Sequence, residues 1–178
     1  MRYPFIITKI LTERRMRKAG CCRDFRLKIL RARNREELLD VYTKGIRFCM
    51  HHDFPDIQYI DRHWRREEYN RRGCYVSENL EGREGQHKML VALGDCTGDL
   101  HYGEFLVRRL VARHNARFHI TADGFSILMV DICDNAEVSI TAKDNARVVA
   151  HYYGAAKAPQ TETHDTASIK VHHRPIIK

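Results

Sequence analysis

The first residues to weigh are those whose types and spacing could do chemistry. His63 and Glu67 stand four apart in "HWRRE", a spacing that puts an imidazole and a carboxylate on one face of a helix. That is the layout of an acid–base pair, and equally of an ordinary surface contact. Cys49 and His52, three apart in "CMHHDF", could share a helical face and supply two ligands of a tetrahedral metal site. No further ligand declares itself nearby, and histidines at a helix C-terminus are favoured by the dipole alone. Asp131 and His151, twenty apart, would become neighbours in a chain that coils every twenty residues, but no nucleophile stands beside them. The motifs GxSxG, GxGxxG, HExxH, the phosphate-binding loop and the glycine-rich calcium nonapeptide are all missing. The six cysteines, at 21, 22, 49, 74, 96 and 133, form no CxxC and read as reduced thiols of a cytoplasmic protein. The expectation is a non-enzyme with no catalytic, cofactor-binding or metal residues.

The elements that must position any site are clearest in the second half. Cut every ten residues from His114, the chain reads "HNARFHITAD", "GFSILMVDIC", "DNAEVSITAK" and "DNARVVAHYY". Asn-Ala returns at 115, 135 and 145. Positions three, five, seven and nine of each unit are small or apolar, the alternation of a strand with one buried face. Asp-Asn and Lys-Asp at the seams form turns and tolerate left-handed backbone. One strand cannot bury its apolar face alone, whereas a stack of coils can. Two units per coil are preferred over three. Residues twenty apart then stack, Phe118 on Val138, Ile120 on Ile140, Leu128 on Val148. Units upstream at 94–113 are degenerate, with Arg108 at an inward position. "ASIKVHH" at 167–173 looks like a last strand with its phase shifted by one.

Outward on one face, Arg117, His119 and Thr121 would stack on Glu137, Ser139 and Thr141. On the other face Ile127, Met129 and Val149 point outward beside Arg147, Asp131 and His151. An exposed apolar patch of that kind marks an interface, so Ile127, Met129, Val149, Arg147 and His151 are the candidate interface residues. The nearest expected cover is the apolar stripe of a helix over about 35–50, with the helical part packing on this face or capping the solenoid's open end. That helix is marked by Asn34 as N-cap, by Glu36 and Glu37 in the first turn, and by Leu38, Val41, Tyr42, Gly45, Ile46 and Cys49 on one side. Pro55 follows its end. "DFRLKILRAR" at 24–33 fits a short strand or the first turns of a helix. A second helix is expected from about 56 to 70, with Ile57, Ile60 and Trp64 inward. The expected divisions are a basic segment 1–33, a helical and loop region 34–88, and the solenoid from 89 to 178.

The net charge of +8 is unevenly spread. Residues 1–50 hold 14 Lys and Arg against 5 Asp and Glu, residues 51–93 hold 7 against 8, and residues 94–178 hold 10 against 10. A basic segment on a neutral body suggests an acidic partner, nucleic acid among them, with Arg14, Arg15, Arg17, Lys18, Arg23 and Arg26 as candidate contacts. A solvated basic face is the plainer alternative. Met16 before "RKAG" could also be an alternative start. "YPFIITKIL" at 3–11 is the nearest approach to an apolar segment, but Lys9 interrupts it, so neither a signal peptide nor a membrane span is expected.

"DNAEVSITAKDNARVVAHYYG" resembles the tandem DNA-x-V-x-A decads of bacterial and phage-associated proteins of unknown function, over roughly residues 104–153. The resemblance implies a short-repeat β-solenoid and supplies no catalytic residues. The unit at 124–133 departs from it, with Gly-Phe-Ser in place of Asp-Asn-Ala. The expected fold is α+β, a helical N-terminal part followed by a small parallel β-solenoid of about ten residues per strand and corner. The expected role is a structural or protein-interaction module, its partner another protein or a second copy met through the solenoid's face or ends. The alternative is nucleic-acid binding through the basic segment.

Overall fold

The computed structural model describes residues 3–176, with Asp61 described in its backbone alone. The chain divides into two compact units, a helical one up to Arg72 and a β unit over Gly73–Ile176.

The β unit is a parallel solenoid of about five turns. Its strands are β1 Cys74–Val76, β2 Met89–Leu93, β3 Thr97–Tyr102, β4 Val107–Ala112, β5 Arg117–Ala122, β6 Ile127–Ile132, β7 Glu137–Ala142, β8 Arg147–Tyr153, β9 Gln160–Thr163 and β10 Ser168–Arg174. They alternate between a six-stranded sheet, β1-β2-β4-β6-β8-β10, and a four-stranded sheet, β3-β5-β7-β9. The coil therefore has two faces and advances by twenty residues. Phe118 pairs with Val138, Ile120 with Ile140 and Ala122 with Ala142 on one face. Leu128 pairs with Val148 and Val130 with Ala150 on the other. In the last coil the offset becomes twenty-one, Ser139 meeting Gln160 and Arg147 meeting Ser168, the one-residue shift that the sequence announces. Strand pairing begins at Cys74, upstream of residue 89, the expected start of the solenoid.

The corners explain the repeat. Gly94, Glu104, His114, Gly124, Asp134, Asp144, Gly154 and Asp165 all have positive φ, between 56° and 74°. Apart from Asp165, which carries the one-residue shift, these are the first positions of successive decads, and every occupant is Gly or a polar residue, with Asp and Gly prevailing. The next inward position is Ala116, Ser126, Ala136 or Ala146 in the regular units, each a small side chain and each buried. Gly124 keeps the same corner geometry in the unit that lacks Asp-Asn-Ala. Side chains also staple coil to coil. Asp134 Oδ2 accepts the His114 N–H at 3.1 Å, Asp144 Oδ2 the Gly124 N–H at 3.1 Å, and Asp165 Oδ2 the Asp144 N–H at 3.2 Å. Asn135 donates to Asn115, and Asn115 to Asp95.

The helical unit contains α1 Phe5–Lys18, α2 Arg23–Arg31, α3 Arg35–Lys44, α4 Ile46–His51, α5 Ile57–His63 and α6 Arg66–Asn70. Residues 24–33 are thus helix rather than strand. Asn34 caps α3 by accepting the Glu37 N–H at 2.8 Å, while the Glu37 carboxylate accepts the Arg33 N–H. The single helix expected over 35–50 is broken at Gly45, where a Cβ would run into the Phe25 ring. The helix expected over 56–70 is likewise two, interrupted at Trp64 and Arg65, whose backbone is extended. Asp56 caps α5 through the Tyr59 N–H at 2.7 Å. Helix α1 crosses Met16 without a break and buries Thr8, Thr12 and Met16, so residues ahead of Met16 belong to this unit's core. Leu38 and Tyr42 of α3 gather with Met16, Phe25, Ile29, Cys49, Phe54 and Trp64 around one apolar hollow. The stripe expected to cover a solenoid face is used inside its own unit. Among the described residues, no helix is long and apolar enough to cross a membrane.

Candidate interaction surface on the six-stranded sheet

Alternation along β4, β6, β8 and β10 sends every second residue outward. Register then builds columns across the sheet. One reads Val107, Ile127, Arg147, Ser168, and the next Arg109, Met129, Val149, Lys170. At the corner ahead of them the Phe105 and Phe125 rings lie parallel, 2° apart with centroids at 5.2 Å. Phe105 is 81 % exposed, Val107 63 %, Phe125 57 %, Ile127 47 % and Met129 42 %. Val149 is half-buried and Arg147 exposed. The expected interface residues therefore share one face, with Ile127 and Met129 open to solvent and Val149 partly covered.

The following column carries Asp131 and His151. Asp131 is buried and its two oxygens are divided between partners. Oδ2 receives Arg109 Nε at 2.7 Å and Nη2 at 2.6 Å, while Oδ1 receives the Tyr153 hydroxyl at 2.9 Å. His151 Nδ1 stands 3.7 Å from Oδ1, beyond a hydrogen bond. Burial lowers the His151 pKa, and Arg174, His172 and Arg109 act in the same direction, outweighing the attraction of Asp131. His151 stacks on His172 with centroids at 5.6 Å. Asp131 is the only carboxylate at the outward positions of β4, β6, β8 and β10, and Arg109 neutralises it. The remaining outward charges are Arg147, Lys170 and Arg174, all exposed. The arrangement is an apolar strip flanked by cations.

On the four-stranded sheet, Arg117 meets Glu137 at 3.8 Å, and Lys157 meets the same carboxylate at 2.6 Å. His119 Nδ1 lies 2.6 Å from Ser139 Oγ, and Thr121 is in register with Thr141.

The other candidates fall in the helical unit. His63 and Glu67 do not share a helix face, because the break at Trp64 and Arg65 separates them. His63 is buried, with Nδ1 2.9 Å from Thr8 Oγ1. Cys49 is buried and His52 packs on Phe48 with ring centroids at 4.2 Å. All six cysteines are free, and only Cys22 is exposed. Among the basic candidates, Arg15 binds Asp56 at 2.7 Å and Arg26 binds Glu13 at 2.9 Å, while Arg14, Arg17, Lys18 and Arg23 are exposed.

Three features escaped the sequence reading. The Phe105–Phe125 pair was signalled by its twenty-residue spacing. The burial of Asp131 with Arg109 and Tyr153 had no local signal, since an aspartate at an outward position reads as solvated. The third is the grouping of Arg14 and Lys18 with Arg62 of α5 in one groove. No family model, curated protein or solved structure matches the chain.

Proposed function

We propose that the chain is a non-enzymatic protein-interaction module, with the outer face of β4, β6 and β8 as its docking surface. The observation that carries this reading is the strip of Phe105, Val107, Phe125, Ile127 and Met129, five large apolar side chains open together on the sheet and its corner. Single exposed apolar residues are ordinary on a protein surface, whereas a contiguous group rimmed by charge marks a site of association. The rim here is cationic, through Arg147, Lys170 and Arg174. It repels a second copy of the same face and favours a partner segment that alternates apolar side chains with carboxylates.

The test compares wild type with Ile127→Glu/Met129→Glu as bait in extracts of the cells that make the protein. Thr121→Glu/Thr141→Glu on the four-stranded sheet is the control. A partner held by wild type and control but released by the Ile127→Glu/Met129→Glu bait supports the reading. A partner held equally by all three, or none held by wild type, overturns it.

A further inference from the structure

The whole positive excess of the chain lies in residues 1–72, with 19 Lys and Arg against 10 Asp and Glu, while residues 73–176 carry 11 against 13. Part of that charge converges on a groove of about 660 Å³ between α1 and α5, lined by Arg14, Arg15, Lys18 and Arg62 together with Tyr3 and Gln58. We propose that this groove binds single-stranded nucleic acid, with Arg14, Lys18 and Arg62 on phosphates and the Tyr3 ring as the platform for a base.

Three observations support the assignment. First, the cations are not balanced. Among the described residues Asp56 is the single carboxylate lining the groove, and Arg15 binds it at 2.7 Å. Arg15 also lies over the Phe54 and Tyr59 rings, 5.1 and 5.8 Å from their centroids, which ties it to the unit's own core. Arg14, Lys18 and Arg62 are exposed and have no carboxylate partner among the described residues. A recess on α2 and α3 differs in composition: Lys28, Arg31 and Lys44 share its lining with two carboxylates, Glu37 and Asp40. Three like charges that share a groove and have no carboxylate partner among the described residues repel one another, and a polyanion relieves that repulsion.

Second, the spacing suits a chain of phosphates. Arg14 and Lys18 are one helical turn apart, about 6 Å between their Cβ atoms, with Arg62 across the groove on the other helix. Third, the groove has an aromatic wall. Tyr3 stacks on His63 at 5.0 Å and 25°, and His63 on Tyr59 at 4.0 Å and 24°. The column is anchored below by the Tyr59 hydroxyl, 2.6 Å from Thr12 Oγ1. Tyr3 ends the stack and is 43 % exposed, so a base can extend it. Burial lowers the His63 pKa, with Arg35 and Arg62 acting in the same direction, so the groove's cationic charge resides on Arg and Lys. A concave site with a stacking platform suits an unpaired strand. Duplex is read instead by an element that enters its groove.

The experiment is fluorescence anisotropy of a labelled twelve-nucleotide oligothymidylate with the full chain, from 50 to 200 mM salt. Wild type should bind with a log–log salt slope of about −2, as three phosphate contacts on a single strand require. Arg14→Ala/Lys18→Ala/Arg62→Ala should bind at least tenfold more weakly and flatten the slope. Lys18→Glu alone should act in the same direction. Tyr3→Ala should weaken binding without changing the slope. Lys28→Ala/Arg31→Ala/Lys44→Ala should stay within twofold of wild type, and circular dichroism should show every variant folded. No binding at 50 mM salt overturns the proposal, as does equal loss in the control variant. Displacement by millimolar inorganic phosphate would mean a single-anion site, and equal affinity for the duplex a general charge effect; either result also overturns it.

Discussion

The carboxylate of Asp134 accepts the backbone N–H of His114, one full coil away, at 3.1 Å. Asp144 does the same for Gly124 and Asp165 for Asp144. The aspartate at a decad seam therefore has two tasks: it tolerates the positive φ of the corner, and it ties its own coil to the preceding one.

Asp144→Ala should expose both tasks. It removes the bond to Gly124 and places a Cβ residue without a polar side chain at φ 56°. The corner is exposed, so the loss should be modest, about 1–2 kcal/mol in urea unfolding. Asp144→Gly, which restores the backbone freedom but not the bond, should recover part of it. Equal stability of all three chains would show that the corner staple contributes nothing.

Ile120 and Ile140 are in register and 2 % and 1 % exposed. Ile140→Ala should destabilise the β unit by about 2–5 kcal/mol, and Ile140→Val by about 1 kcal/mol. A loss below that of Asp144→Ala would mean that the inner column collapses around the missing atoms.

Asp131 answers two donors, Arg109 and Tyr153, from a buried position. Asp131→Ala strands the guanidinium beside an apolar hole and should cost about 3–5 kcal/mol. Asp131→Asn, which keeps both oxygen and shape near Tyr153, should cost less. Urea unfolding followed by far-ultraviolet circular dichroism separates the two.

His63, His87 and His151 all have pKa values lowered from 6.5, chiefly by burial. Their unfolded forms take up protons at a higher pH than their folded forms. Stability contributed by the neutral rings is therefore present above about 6.5 and is lost as pH falls below it through the lower folded values. The lone tryptophan, Trp64, sits beside His63 with ring centroids at 6.5 Å. Its fluorescence in urea titrations at pH 7.5, 6.5 and 5.5 should show the midpoint falling with pH. A midpoint that rises towards pH 5.5 would reverse the assignment.

Cys22 is the one exposed thiol, whereas Cys133 is buried and its thiol is pushed up to about 12 by that burial. A thiol reagent at pH 7.5 should label one equivalent in the folded chain and six after denaturation, with peptide mapping placing the first on Cys22. Rapid native labelling of Cys133 would contradict the packing of β6 against its neighbours.

How much of this was legible beforehand follows from which contacts are local. The solenoid could be read from residues 114–153 because every coil meets only its neighbours at a constant offset. Alternation names the buried face, a residue that tolerates positive φ marks each corner, and the twenty-residue register follows for Phe118, Ile120 and Leu128 together. Tertiary structure alone decided the rest. Position 45 is held to glycine because Phe25, twenty positions earlier, occupies the space a side chain there would need. Asp131 is buried because Arg109 and Tyr153 reach it from adjacent coils. Arg14, Lys18 and Arg62 form one groove because two helices separated by nearly forty residues of chain lie side by side. A periodic pattern repeats its physics at every turn and so declares itself in sequence, whereas a contact made once, between distant segments, leaves no periodic trace.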